Sequence, residues 1–492
     1  MQMGTRGCVA VLSFVLSAPF SVAQAAVTIS AKATANMSCA SGVCAPTATD
    51  AVLNAGDLET LLASGNLTVT TTGNGVQAKD IRVDAALAWA NGAALTFDAW
   101  RAIAIDRQVS IDGAGGLSIV TNDGGTNGEL SFGTRGHVTL GFNNGAPGTL
   151  SIDGANYTLV FTVLGLIASV AEDPSGHFAL AADYNASGDG TYKAAVVQTS
   201  LAGTFEGLGN VISGLRIRNK TNEGDGNFGL FLQIGSGGTV ADLGLKDIDI
   251  LAAPISGTGG LTPDNEGLVR ADWVSGKITA ESKGIEPGSF VGGLVGYNGG
   301  TIVDSHADVT LTDHTLGAAL GGLAASEGGT ISRSYATGSI EGGIVASAGG
   351  LVGVVSQSGG ATGAILDCYA TGAVSGGGSS SVGGLVGTYV DGKIAASYST
   401  GAVKAGHDSS VGGFLGFDQS DTHALKNDYW DTDTSGITDL SRGAGNIPND
   451  PGITGLTTAQ FQSGLPEGFD PTVWAENPQI NDGLPYLRAN VP

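Results

Sequence analysis

The stretch Cys368–Gly387, "CYATGAVSGGGSSSVGGLVG", decides the fold, because both of its halves recur elsewhere in the chain. Its opening returns as "SYATGSI" from Ser334 and "SYSTGAV" from Ser397. Its closing Gly-Gly-Leu starts at Gly292, Gly321, Gly349 and Gly383, and again as Gly-Gly-Phe at Gly412, in steps of 29, 28, 34 and 29 residues. A unit of that size cannot bury its own apolar face, so such units stack. The copies are dense in Gly, Ser, Thr and Val and lack a 3.6-residue period, which excludes helical repeats. A propeller blade needs about 40 residues or more, whereas about 29 suit one coil of a β-solenoid.

Within each unit Ile302, Ile331, Ile365 and Ile394 are equivalent, as are Ser305, Ser334, Cys368 and Ser397. Side chains alternate across a strand, so Cys368, Ala370, Gly372 and Val374 point inward while Tyr369, Thr371 and Ala373 point outward. The tyrosines Tyr335, Tyr369 and Tyr398 then form an external aromatic ladder, with His306 in the same row one unit earlier; these four are the candidate ligand-binding residues. Cys368 has neither His nor Lys in its coil to activate it and reads as a small inward spacer. A copy from Gly229 precedes the array, separated from it by an apparent insertion between Ala252 and Pro287.

Composition agrees with an ordered, turn-rich β protein. Glycine supplies 82 of 492 residues, far above the usual share of about 7%, yet there is no collagen period and the mean hydropathy is positive. The net charge of −24 repels nucleic acid and anionic lipid. The first 25 residues, with Arg6, an apolar run from Cys8 through Leu16 and a small-x-small site at Ala23–Ala25, read as a secretory signal. No later apolar run reaches the ~20 residues of a spanning helix. In an oxidising compartment Cys39 and Cys44 of "CASGVC" are candidate disulfide partners.

The domain reading is a signal at 1–25, an N-terminal cap segment at 26–66, irregular β-solenoid coils at 67–202, the repeat solenoid at 203–436 and a C-terminal cap at 437–492. "DLETLLASG" places Leu58, Leu61 and Leu62 on one face of a short N-terminal helix. Thr457-x-x-Gln460 is a capping box for another near the C-terminus.

The phrases "GTFEGLGNVISGLRI" from Gly203, "FGLF" from Phe228, the "GGLVG...SYATG" array and "NDYWDTDTSG" from Asn427 together resemble GLUG-motif proteins, bacterial surface proteins related to filamentous-haemagglutinin adhesins. The resemblance covers most of the chain after the signal. It implies an all-β, right-handed parallel β-helix with short helical caps, and a role in adhesion at the cell surface or in secreted form. It names no ligand.

Three local constellations invite chemistry. "DSHAD" puts Asp304, His306 and Asp308 on one outward face, where carboxylates beside a histidine suit metal or acid–base work; the alternative is a solvated stretch of the aromatic row. "DTDTSG" offers Asp431, Asp433 and Asp439 as calcium candidates, but Arg442 stands where an EF-hand needs a bidentate Glu, so an Asx-rich turn competes. Tyr429 and Trp430 suit either sugar rings or packing against the cap. Parallel β-helices also host polysaccharide lyases and hydrolases, yet Arg333, Lys393 and Lys404 do not flank paired carboxylates. The expectation is a non-enzymatic, cofactor-free, adhesin-like protein binding cell-surface glycan or protein. A polysaccharide-degrading enzyme and a self-associating matrix or spacer protein are the alternatives.

Overall fold

The computed structural model describes residues 25–143, 146–219, 226–253, 256–280, 288–358, 361–421 and 424–492. The expected export signal, save Ala25, lies outside them. The described chain is nearly all β, a parallel solenoid of about 13 turns matching the expected right-handed parallel β-helix.

One coil of the repeat array shows the plan. Phe290–Gly292 forms a first wall, Val295–Asn298 a second, Thr301–Val303 a third and His306–Asp313 a fourth, after which the next coil begins at Ala319. Each wall pairs in parallel with its equivalent one coil on: Ile302 with Ile331, Ile331 with Ile365, Ile365 with Ile394. The Gly-Gly-Leu phrase makes the reversal between the first two walls, and its glycines are set by contact. A Cβ on Gly292 would sit 1.8 Å from the Val295 carbonyl oxygen, and one on Gly293 2.0 Å from the Gly322 oxygen. The following Leu294, Leu323, Leu351 and Leu385 fill the fold so made and are fully buried.

The apparent insertion after Ala252 is a further coil. Gly257–Gly259, Thr262–Asn265, Leu268–Arg270 and Trp273–Ala280 occupy all four walls, and Gly259-Gly260-Leu261 is a further copy of the phrase. At the other end, coiling outlasts the recognisable repeats. Ala444 bridges Leu415, and Ile453–Leu456 pairs with Asp428–Asp431, so the separate C-terminal segment starts at Thr457 rather than at 437.

The first part of the chain is a second parallel stack, and it begins earlier than residue 67. Ala26–Ser30 already pairs with both Ala51–Asn54 and Asp80–Val83. Cys39 and Cys44 are disulfide-bonded across the hairpin of Met37–Ala40 and Val43–Pro46, which lies at the end of its sheet. An antiparallel strand there leaves no free parallel edge to extend. Helix α1 (Ala55–Leu62) is capped by Asn54 and buries Leu58 and Leu62, as its spacing requires.

The two stacks meet through an antiparallel pair, Thr149–Ile152 with Ala155–Val160, so strand direction reverses there instead of continuing. Helix α2 (Val163–Glu172) follows, made from the apolar run that is too short to span a bilayer; it buries Val163, Leu166 and Val170 on one face. Last-coil backbone groups of the first stack also bond the second, Val138 N–H to Leu208 O at 3.0 Å and Leu140 N–H to Ala181 O at 2.7 Å.

Candidate functional site

The outward row of the fourth wall contains the four candidate ligand-binding residues, and it holds them in a stack. Ring centroids are 6.2 Å apart from Trp273 to His306, 4.6 Å from His306 to Tyr335, 4.7 Å from Tyr335 to Tyr369 and 5.1 Å from Tyr369 to Tyr398, with interplanar angles of 3–8°. Strand pairing one coil apart forces this spacing, since equivalent residues of paired strands lie ~4.8 Å apart. The ladder expected from the repeat is therefore present, with Trp273 as an added rung.

Its expected role as an open binding face is corrected on two counts. The ring faces are taken by one another, so only edges point away from the coil. Those edges are covered: Tyr335 is 3% exposed, Tyr369 and Tyr398 0%. The cover is the C-terminal segment from Thr457 onward, which runs back along the solenoid. Helix α3 (Thr458–Phe461), begun by the Thr457–Gln460 capping box, brings Phe461 to Tyr398. Trp474 packs against Tyr369 and Tyr398 and donates its indole N–H to Asp367 Oδ1 at 3.0 Å. The Tyr398 hydroxyl donates to Pro485 O at 2.6 Å and the Tyr429 hydroxyl to Glu467 O at 2.9 Å.

At the far tip Asn490 lies 2.9 Å by its Oδ1 from His306 Nδ1, and its Nδ2 donates to Ser305 O at 3.1 Å and Arg333 O at 3.4 Å. Burial lowers the His306 pKa to about 4, partly offset by Asn490 and Asp308, so the ring is neutral at pH 7. The Tyr369 hydroxyl, by contrast, is buried with no partner, and burial raises its pKa.

The inward neighbours form a different ladder. Ser305 N–H donates to Ser334 Oγ and Cys368 N–H to Ser397 Oγ, each at 3.1 Å, so every small polar side chain accepts from the backbone one coil before it. Asp272 and Asp428 do the same at the two ends, accepting from Leu243 and Ser397. The spacer reading is thus incomplete: the column satisfies corner amides that no strand partner reaches. Cys368 sits there fully buried, and burial pushes its thiol pKa up, which suits a structural and not a nucleophilic role. The signal for this ladder was the polar series itself, Asp272, Ser305, Ser334, Cys368, Ser397, Asp428.

The remaining candidates do not converge. Asp304 is a corner residue at φ 52° bound twice by Arg333 at 2.7 Å, His306 is in the stack and Asp308 is exposed, so "DSHAD" makes no joint site. Asp431 accepts from Asp433 N–H at 2.8 Å and Thr458 Oγ1 at 2.6 Å, Asp433 from Thr458 N–H at 3.0 Å, and Asp439 closes its own turn onto Ser441. These carboxylates fasten helix α3 and a turn. Among the described residues no group of three or more His, Cys, Asp or Glu side chains could hold a metal ion. Trp430 is fully buried and Tyr429 joins the covered rings, which makes both packing residues.

What the segment leaves open on the fourth wall is a groove of about 300 Å³, beyond the aromatic row. Thr310, Thr312, Ser339, Glu341, Ser375 and Lys404 line it together with the exposed methyl groups of Ala373 and Ala402, so it crosses four successive coils, while Leu311, Ile340 and Val374 on the same strands face the core. No helix among the described residues is long and apolar enough to cross a membrane.

No protein-family model matches this chain, and no curated protein does. A solved structure titled "IgA1 Protease" is similar over 55% of this chain at 21% identity and a TM-score of 0.40. The match spans 21% of that protein's own length. The expectation that the chain is no enzyme is corrected by this finding, since the solved structure it resembles is titled as one. A likeness so distant carries no argument about an activity of this chain.

Proposed function

We propose that this protein is an exported, GLUG-type surface or secreted adhesin that holds a cell-surface glycan or protein ligand on the outside of its solenoid. The observation that carries the reading is the open groove of the fourth wall. It sets outward hydroxyl and charged side chains, with the methyl groups of Ala373 and Ala402, on four successive coils at the coil spacing, from Thr310 to Lys404. An extended ligand laid along the axis meets the same chemistry at each step, so weak contacts add through multiplicity. The aromatic row contributes only indirectly, by fixing the wall under the C-terminal segment.

The test is retention of the chain after signal removal on a polysaccharide panel and on cells, scored for binding and for cleavage together. Binding that falls at least tenfold in a Ser339→Arg, Ser375→Arg double variant, which blocks the groove from its exposed side, supports the reading. Undiminished binding by that variant, or no binding by the parent at micromolar concentration, ends it. Release of reducing ends or unsaturated uronides selects the polysaccharide-degrading alternative, and concentration-dependent self-association without retention selects the matrix one.

A further inference from the structure

We infer that residues 457–492 are a releasable strap, latched at its tip by Asn490, that opens over the aromatic ladder without unwinding the coils beneath. Three observations point there, and none depends on the proposed ligand.

The first is how the segment is attached. Neighbouring coils are joined by rows of backbone hydrogen bonds along every wall. Among the described residues no backbone–backbone bond links 458–492 to a coil: the segment's two short strands, Trp474–Ala475 and Tyr486–Leu487, pair only with each other, and Arg488 N–H donates to Val473 O. The hydrogen bonds that dock it each use a side chain on at least one partner, so lifting it breaks no sheet.

The second is the placing of its anchors. Near its root, Thr458 is held by Asp431 and Asp433, and Tyr429 bonds Glu467. At its tip, Asn490 uses both ends of its amide on His306, Ser305 and Arg333. Tip and root are thus secured on different coils. Loss of the tip frees the Tyr335 side of the ladder first.

The third is the cost of the closed state. The Tyr369 hydroxyl has no partner under the strap, and a buried unsatisfied hydroxyl is penalised relative to a hydrated one. Opening returns it to water, which offsets part of the apolar burial lost from Trp474, Phe469 and Leu487. A closed state with a built-in penalty and no sheet bonds is a low-stability unit by construction.

Hydrogen exchange on the full chain, read by residue, tests this directly. The Trp474 and Arg488 amides are expected to exchange at least tenfold faster than those of Ile331 and Ile365 in the coils. Asn490→Ala is expected to speed the strap amides a further tenfold and leave the coil amides unchanged. The same variant should raise O-acetylation of Tyr335 and Tyr369 by N-acetylimidazole at least fivefold. His306→Phe, which keeps an aromatic ring in the stack and removes the imidazole nitrogens, among them the Nδ1 that faces Asn490, should act in the same direction with a smaller change. Strap and coil amides exchanging together in the parent chain overturn the inference, as does an Asn490→Ala variant that loosens both alike or neither.

Discussion

The first stack and the repeat array solve the same problem with different interiors. In the first, Trp89, Phe97, Ile103, Ile105, Ile111 and Ile119 fill the coil with bulky apolar side chains. In the array, the first two walls approach so closely that Gly292 and its equivalents leave no room for a methyl group, and the corners carry polar ladders. One such ladder runs from Asn265 to Asn298 to Glu327 at 2.7 and 2.8 Å. Both regions coil, yet only the array repeats visibly. Sequence repetition here reports a shared Gly-Gly-Leu reversal, not whether there is a coil.

Substitution of a phrase glycine should have the largest effect. Gly383→Ala places a Cβ 2.0 Å from the Val386 oxygen and is expected to cost more than about 4 kcal/mol in urea unfolding. Gly92→Ala, in the first stack with nothing within 4 Å, should change stability by less than about 1 kcal/mol. Gly92 is exposed, so equal effects would show that the close approach at Gly383 carries no cost. Next comes Phe97→Ala, expected to cost about 3–4 kcal/mol through the cavity it leaves.

The inward column offers a finer contrast. Ser334→Ala leaves the Ser305 amide without its acceptor and should cost about 1–2 kcal/mol. Cys368→Ser supplies the residue used by the other coils and should stay within about 1 kcal/mol of the parent. If the two variants behave alike, the column is only a spacer.

The last contrasts are pH dependences. His306 has its folded pKa lowered to about 4 by burial, against an unfolded value of ~6.5. The folded state binds fewer protons between those values, so this contribution is present above pH 6.5 and is lost as pH falls toward 4, at up to about 1.4 kcal/mol per pH unit. His306→Phe should flatten that part of the stability profile. Glu327 runs the other way: burial raises its pKa well above the ordinary value, so its contribution is present at low pH and lost as pH rises. Glu327→Gln should gain stability over the parent as pH increases above about 5, measured by unfolding midpoints across the range.

Much of this was legible in the sequence. The Gly-Gly-Leu spacing and the Ser-Tyr pairs gave the coil, the parity and the register, because strand alternation has a strict period of two. The disulfide of "CASGVC" and the Thr457 capping box rest on contacts within a few residues and were equally readable. The coil at 256–280 is obscured because Thr262-Pro263 follows its Gly-Gly-Leu and Asp272-Trp273 stands where later coils have Ser-Tyr or Cys-Tyr. Reversal at 149–160 was missed because both arms of that hairpin look like any other solenoid strand.

The sequence by itself determined which side chains share a column and whether that column points in or out. Both follow from local geometry repeated at a fixed step. Only the tertiary structure decided what lies over the outward rows. Tyr369 is an outward residue in either reading, but its burial depends on Trp474, and the His306 contact with Asn490 spans 184 residues. A contact made once, between a periodic wall and an aperiodic tail, leaves no period to read.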